Sequence, residues 1–511
     1  MLGRTLCRVS VMAGIVAAGL ACAGVPAMAQ KSADTLRFTT RNAIPNVDFY
    51  YNSLREGYVV QIHAQDGLVY RDPDTFQIKP LLALSWKPVD DTTFDFTLRQ
   101  DVTFQNGDKF SADDVVYTIN SLLNDKGLSV PSNYLFLAGA EKLDDYHVRI
   151  KLKRVFPAAM QYIAMVLPIY PKAYRERVGP DGFSKAPIGT GPYKITKVDG
   201  INEIDMERYD GYYPDSPKGK PPIRFIKIHE VADASTEMAE LLGGRADWIW
   251  DFSPDQFNSV AAIPTLTALR AETMRVAYLQ LDAAGRTGAD NPLTKEKVRQ
   301  AIAYALDRAT MARQLMQGNS RPLDAPCFPT QFGCDQAAAT HYDYNPAKAK
   351  QLLADAGYPN GFDTTLVTYL LPQWAGAMQN YLQAVGIRAH IDQLQVNAVI
   401  QRVQAGTTPL NAGSWGSYSI NDVSAFLPYF FTGSTYDYTR DPEVEKLVEQ
   451  GGAVTDPDQR RAAYSAAIKR ITEQADFIPL FTYVKTYGFS RQLNFKAFPD
   501  ELPRFYLSSW K

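Results

Sequence analysis

The 511-residue chain is 46% hydrophobic and 12% aromatic, with 53 basic against 55 acidic residues and a formal net charge of −2. A core of ample size is possible at that length, and about 150 residues per domain gives two to three domains. The near-neutral balance, without a long run of either sign, argues against nucleic acid and anionic membrane surfaces as partners.

The N-terminus reads as an export signal spanning residues 1–29. Arg4 and Arg8 form the charged region, Val9 to Ala23 the apolar stretch, and Ala27-Met28-Ala29 a small-residue cleavage site before Gln30. The apolar stretch is too short and too rich in Ala and Gly for an efficient span, which wants ~20 strongly apolar residues. The mature chain is therefore expected to be soluble and periplasmic. A second reading takes Cys22, preceded by Leu20 and Ala21, as a lipidated cysteine that tethers the protein; Gly19 stands where such a site wants a Leu-like residue. Cys7 and Cys22 leave with the signal. The remaining pair, Cys327 and Cys334, reads as one short-loop disulfide, since a lone His341 is too little for a zinc site.

Leu36 to Thr40 reads as a strand, followed by an irregular polar stretch through Asn42, Pro45, Asn46 and Asp48. Tyr50, Tyr51, Tyr58, Val59, Ile62 and Leu68 then suggest a helix ending near Gly67. Alternation of Phe94, Phe96 and Leu98 with Thr93, Asp95 and Thr97 predicts a half-buried strand within 93–104. Ser111, with Asp114 three residues on, predicts a capped helix with Val115, Ile119, Leu122 and Leu123 inward. His147 to Lys153 alternates again, and Val276 to Leu281 is an apolar strand. Thr294 is placed as the N-cap of a helix that buries Val298, Ala301, Ile302, Ala305 and Leu306 and closes near Gly318. Asn345 caps another, with Pro346 in its first turn and Gly357 beyond its end, and a third runs from about Pro457 to Gln474. Interleaved strands and helices imply an α/β chain with several lobes.

No enzyme motif assembles from these residues. His63, His147, His229, His341 and His390 are isolated, and neither His-Glu-x-x-His nor Gly-x-Ser-x-Gly occurs. Gly189-Thr190-Gly191 lacks the Lys-Ser/Thr ending of a phosphate loop. No catalytic residue, metal or cofactor is expected; a secreted hydrolase using two converging carboxylates is the enzymatic alternative.

Ala83 to Phe104 reads Ala-Leu-Ser-Trp-Lys-Pro-Val-Asp-Asp-Thr-Thr-Phe-Asp-Phe-Thr-Leu-Arg-Gln-Asp-Val-Thr-Phe, followed by Asn106-Gly107-Asp108 and Ser111-Ala112-Asp113-Asp114-Val115-Val116. Further on come Gly189-Thr190-Gly191-Pro192-Tyr193, Gly244-Arg245-Ala246-Asp247, Val298-Arg299-Gln300-Ala301-Ile302, Leu306-Asp307-Arg308 and Ala349 to Pro359. Together they resemble the family 5 extracellular solute-binding proteins of peptide, nickel and opine ABC importers. The resemblance implies a two-lobed, type II-like α/β clamp with an extra α+β domain inserted in the first lobe. It places 31–70, 187–283 and 478–511 in lobe one, 71–186 in the insert and 284–477 in lobe two. It further implies a monomer that captures a small polar ligand, peptide or opine-like, between its lobes and hands it to an ABC permease and ATPase complex in the inner membrane. A sensor for a membrane receptor would use the same clamp. Nickel loses weight because the histidines do not cluster.

The family places a Trp-x-x-Asp motif in lobe two, whose carboxylate receives the amine of a bound peptide. Here Trp415 is followed three residues later by Tyr418, which cannot neutralise a desolvated ammonium. The segment carries one extra residue, and Asp422 matches a second, downstream acidic position. An α-amine ligand then needs Asp422, Asp48 or another carboxylate, so opine-like and sugar-containing ligands gain ground. The expected ligand-binding residues are Trp415, Tyr418, Asn421 and Asp422, with Asn42, Asp48 and Tyr51 after the first strand and Tyr278 before the crossing into lobe two. Asp422 equally suits a cap on the helical stretch 423–431, and Tyr278 equally suits the core. Arg275 is read as an ion-pair former near the crossing, with contact to a carboxylate ligand as the alternative.

Overall fold

The computed structural model describes residues 34–200, 202–316 and 320–511; the export signal, Cys22 and Gly318 lie outside the described residues. Among the described residues no helix is long and apolar enough to cross a membrane. A ten-stranded mixed sheet runs through both lobes. Its order is Ile387–Gln393, Phe362–Thr368, Leu410–Trp415, Leu266–Leu281, Phe477–Ser490, Trp248–Trp250, Thr35–Thr40, Phe225–Glu230, Glu203–Arg208 and Tyr193–Asp199. Each lobe has a parallel portion. Thr35–Thr40 pairs with Phe225–Glu230 and Trp248–Trp250, while Phe362–Thr368 pairs with Ile387–Gln393 and Leu410–Trp415. Helices Pro372–Ala384 and Val396–Gln404 supply the crossovers in the second lobe.

Two long antiparallel strands, Leu266–Leu281 and Phe477–Ser490, join the lobes, and their side chains change core along the way. Leu269, Ala271, Tyr487 and Phe489 pack with Leu36, Phe38 and Trp248. Ala277, Leu279, Leu281, Ile478, Leu480 and Phe481 pack instead with Ile302, Leu366 and Leu410. Two cores on one sheet make two lobes. Between them the ladder breaks: Glu272 faces Val484 and Val276 faces Thr482, so Thr273, Met274 and Arg275 oppose Tyr483 alone. The Met274 N–H donates to Pro499 O at 2.7 Å and Thr273 Oγ1 to Tyr483 O at 3.1 Å. A bulge of this kind bends a strand and re-aims its side chains, here at the point where one core gives way to the other.

The four-stranded antiparallel sheet Ala83–Asp90, Thr93–Leu98, His147–Leu152 and Leu137–Asp144 packs its Phe96, Leu98, Val148 and Ile150 inward, into the same cluster as the first lobe. Helix Ala112–Leu122 lies on it, with Asp114 Oδ2 accepting the Ser111 N–H at 2.9 Å as the spacing predicts. Asn345 accepts the Lys348 N–H at 3.0 Å, and helix Pro457–Glu473 buries Tyr464, Ile468 and Ile471. Cys327 and Cys334 are bonded, with Cα atoms 5.8 Å apart.

Elements depart from expectation where a side-chain cap restarts the chain. The first helix is split into a 3-10 turn, Phe49–Tyr51, and an α-helix, Arg55–Ala64, because Asn52 is extended and its Oδ1 accepts the Leu54 N–H at 2.7 Å. Thr294 does not cap its helix: it ends the turn Pro292–Thr294, and the helix Glu296–Ala305 begins after Lys295. That helix stops well short of Gly318, since Asp307 caps a new one by accepting the Thr310 N–H at 2.9 Å.

The glycines of Gly189-Thr190-Gly191 are spacers. A Cβ on Gly189 would stand 2.2 Å from Ala64 O, and one on Gly191 2.5 Å from Ala64 C, at the end of helix Arg55–Ala64. Gln105 clasps the same point, its Nε2 donating to Ala64 O at 3.0 Å and Gly191 O at 3.1 Å while Oε1 accepts the Gly189 N–H at 3.0 Å. Gly191→Ala must therefore push two backbones apart and is expected to lower stability by about 1–3 kcal/mol; an unchanged midpoint in urea would contradict this packing.

Candidate functional site

Both lobes aim the carboxyl ends of their parallel strands at one crevice, the usual ligand position in open α/β sheets. Thr35–Thr40 leads into the segment ending in helix Arg55–Ala64, and Leu410–Trp415 ends on Trp415 itself. Where they meet, a cavity of about 170 Å³ is lined by Ser53, Leu54, Arg55, Tyr58, Arg275, Trp415, Gly416 and Tyr418.

Its electrostatics are set by a buried carboxylate just behind the wall. Glu501 Oε2 accepts from NH2 of Arg55 at 2.9 Å, and Arg275 grips both oxygens of Glu501, Nε on Oε1 and NH2 on Oε2, each at 2.9 Å. Burial pushes the Glu501 carboxyl up, but the charges of Arg275, Lys485 and Arg55 outweigh it and hold the group well below the usual range. The neighbouring Asp500 pairs with Arg71 at 2.7 Å and Arg504 at 2.6 Å.

The lobe-two wall is braced by ring contacts and a hydrogen bond. Trp415 stacks on Tyr429 with centroids 4.3 Å apart, meets Tyr418 edge-on at 4.9 Å, and donates its indole N–H to Ala425 O at 3.1 Å. Ser417, Tyr418 and Ser419 all have left-handed backbone, φ 49°, 48° and 62°. Such strain persists only where neighbours over-determine it. Here Arg55 donates to Ser419 Oγ at 2.5 Å, Arg71 donates to Ser419 O, and Ser419 Oγ donates to Asp500 O at 2.7 Å. Burial pushes the Tyr418 phenol up to about 12, so it stays protonated.

Of the expected residues, the cavity collects Trp415 and Tyr418. The others are placed elsewhere, and each has a physical reason. Asp422 is 3% exposed, pairs with Arg460 NH2 at 2.9 and 3.1 Å, and caps the turn Val423–Ala425. Asn421 lines a separate groove with Phe332, Asp335 and Arg461 beside the disulfide loop. Asp48 is wholly buried, paired with Arg175 at 3.0 Å and with the Tyr170 hydroxyl; burial pushes its carboxyl up to about 6. The Tyr51 hydroxyl donates to Asp125 and its ring lines another cavity. Asn42 donates to Glu56 Oε1 at 2.9 Å near the surface, and Tyr278 packs in the core against Phe430 and Phe477. Arg55, Tyr58 and Glu501 were missed by sequence reasoning, and Arg275 was read as an ion-pair former with contact to a carboxylate ligand as the alternative. Among the described residues no group of three or more His, Cys, Asp or Glu is placed to hold a metal ion.

The profile of bacterial extracellular solute-binding proteins, family 5 (middle region), matches residues 77–438, and the chain belongs to that family. It is 26% identical over 452 residues to heme-binding protein A of Haemophilus influenzae, covering 79% of this chain and 78% of that protein. It is 27% identical over 457 residues to the glutathione-binding protein GsiB of Salmonella typhimurium, covering 85% and 86%. In structure it is similar to AgaA of A. tumefaciens R10, solved with agropinic acid, with a TM-score of 0.75 and 25% identity over 93% of this chain and 98% of that one. The protein is the substrate-binding component of an ABC importer.

Glu501→Gln leaves two guanidiniums without their carboxylate and is expected to cost about 3–5 kcal/mol. Because folding holds Glu501 below its ordinary 4.5, the wild type's advantage is complete above that pH and is lost as pH falls through the lower folded value. Melting temperatures of the two proteins should converge on acidification below 4.5; parallel curves would show that Glu501 does not carry the charge.

Proposed function

We propose that the protein is exported, cut after Ala29, and works in the periplasm as a monomeric, non-catalytic carrier. It closes its lobes on a small polar solute at Arg55, Arg275, Trp415 and Tyr418 and delivers it to the permease and ATPase complex. The observation that carries this reading is that side chains from both lobes and from the hinge bulge converge on one cavity. The insert spans 71–186; lobe one comprises 31–70, about 187–272 and about 485–511, and lobe two about 276–482, because the expected boundaries at 283/284 and 477/478 would put Ala277, Leu279, Leu281, Ile478, Leu480 and Phe481 in lobe one although they pack in the lobe-two core. The bending points lie inside the two long strands, near 272–276 and 482–485, where the side chains change core, rather than at the strand ends. Closure is favoured only as far as the solute binds the closed form more tightly. The relatives named for glutathione and agropinic acid support a peptide-like or opine-like solute.

The solute should raise the melting temperature in line with RT ln(1 + [L]/Kd) and contract the molecule in small-angle scattering. Trp415→Ala should weaken binding about tenfold or more while unfolding stays cooperative. Unchanged affinity would make Trp415 a structural wall of lobe two and move the site elsewhere.

A further inference from the structure

We infer that the solute is an organic anion that docks a carboxylate on Arg55 and Arg275, and that the site does not read a cationic amine. The inference rests on the cavity beside Trp415 being the ligand site.

No acidic side chain lines that cavity, whereas two guanidiniums do. The carboxylates nearest in the expected site are already matched: Asp422 by Arg460, Asp48 by Arg175. The hinge cations are not matched one for one. Arg55 and Arg275 share Glu501, and Arg71 and Arg504 share Asp500, so the cluster carries twice as many positive groups as negative ones. An ammonium brought here would lose its water, find no anionic partner and face a positive field; an unpaired buried charge costs several kcal/mol. A carboxylate would instead restore neutrality.

The donors suit that role. Arg275 spends Nε and NH2 on Glu501, and its NH1 has a contact of 3.4 Å with Ser414 Oγ, the long end of a hydrogen bond. Arg55 spends NH1 on Ser419 Oγ and, at 3.4 Å, on Asp500 O, and NH2 on Glu501. A guanidinium carries five N–H groups, so both side chains keep donors beyond these, and planar forks of this kind match a carboxylate's two oxygens. The protonated Tyr418 hydroxyl is a further donor in the same wall. Tyr58 gives its hydroxyl to Met165 O, leaving its ring, the Trp415 indole and Leu54 to face the apolar body of the solute.

Three probes of one skeleton separate the possibilities: 3-phenylpropionate, 3-phenylpropanamide and 3-phenylpropylammonium, titrated calorimetrically into the mature protein. The carboxylate should bind about tenfold or more tightly than the amide, and the ammonium should give no heat. Arg275→Gln should bring the carboxylate down to the level of the amide, while Arg275→Lys, which keeps the charge, retains most of the preference. If Arg275→Gln does not fold, Arg55→Gln carries the same expectation. Ammonium binding as tight as the carboxylate's, no binding by any probe, or a carboxylate preference that survives these variants would overturn the inference. Trp415→Ala separates the two claims: probe binding indifferent to it defeats the cavity reading, whereas binding that needs Trp415 but favours the ammonium defeats only the anion.

Discussion

Glu501 is the point on which the hinge turns. It lies in left-handed backbone, φ 63°, beyond the end of the second long strand, and it draws together a helix of lobe one through Arg55 and the bulge of the first long strand through Arg275. Its neighbour Asp500 holds Arg71 and Arg504 and, through its carbonyl, Ser419 of lobe two. Buried ion pairs recover more of their desolvation the more of their remaining donors are satisfied. Here Ser419 takes Arg55 at its hydroxyl and Arg71 at its carbonyl. The cluster thus joins four remote stretches of chain, and the cavity exists because they meet.

The same contacts explain why residue 418 sits where it does. Three successive left-handed residues would not persist in a free loop, since each costs roughly 1–3 kcal/mol. Ser419 is fixed from the lobe-one side, Trp415 from the Tyr429 side, and the chain between them reverses, with Ser419 N–H on Gly416 O at 2.8 Å and Ile420 N–H on Ser417 O at 2.8 Å. The turn presents Tyr418 to the cavity, while Asp422 further along pairs with Arg460.

Much of the fold was legible because its signals are local. Alternation located Phe96 and Leu98, spacing located the Asp114 and Asn345 caps, and the family motifs located the clamp. The site was legible only in part. Trp415 and Tyr418 stand in a recognisable segment, but Asp48 and Asp422 show that a loop aspartate poised as a ligand and one poised as a cap read alike in sequence. Arg55 and Glu501 gave no local signal at all, being joined across a separation of 446 residues. Arg275 lies in a segment whose pattern looks like an ordinary strand, and only the register with Val484 and Thr482 exposes the bulge that turns it toward the cavity.

The most direct measurement is a crystal structure of the mature protein carrying its co-purified solute. Density is expected in the cavity between the lobes, with a solute carboxylate within about 2.7–3.2 Å of the Arg55 or Arg275 nitrogens and an apolar portion against Trp415. A solute seated instead in the groove beside the disulfide loop, or held by an acidic side chain through a free amine, would contradict this expectation.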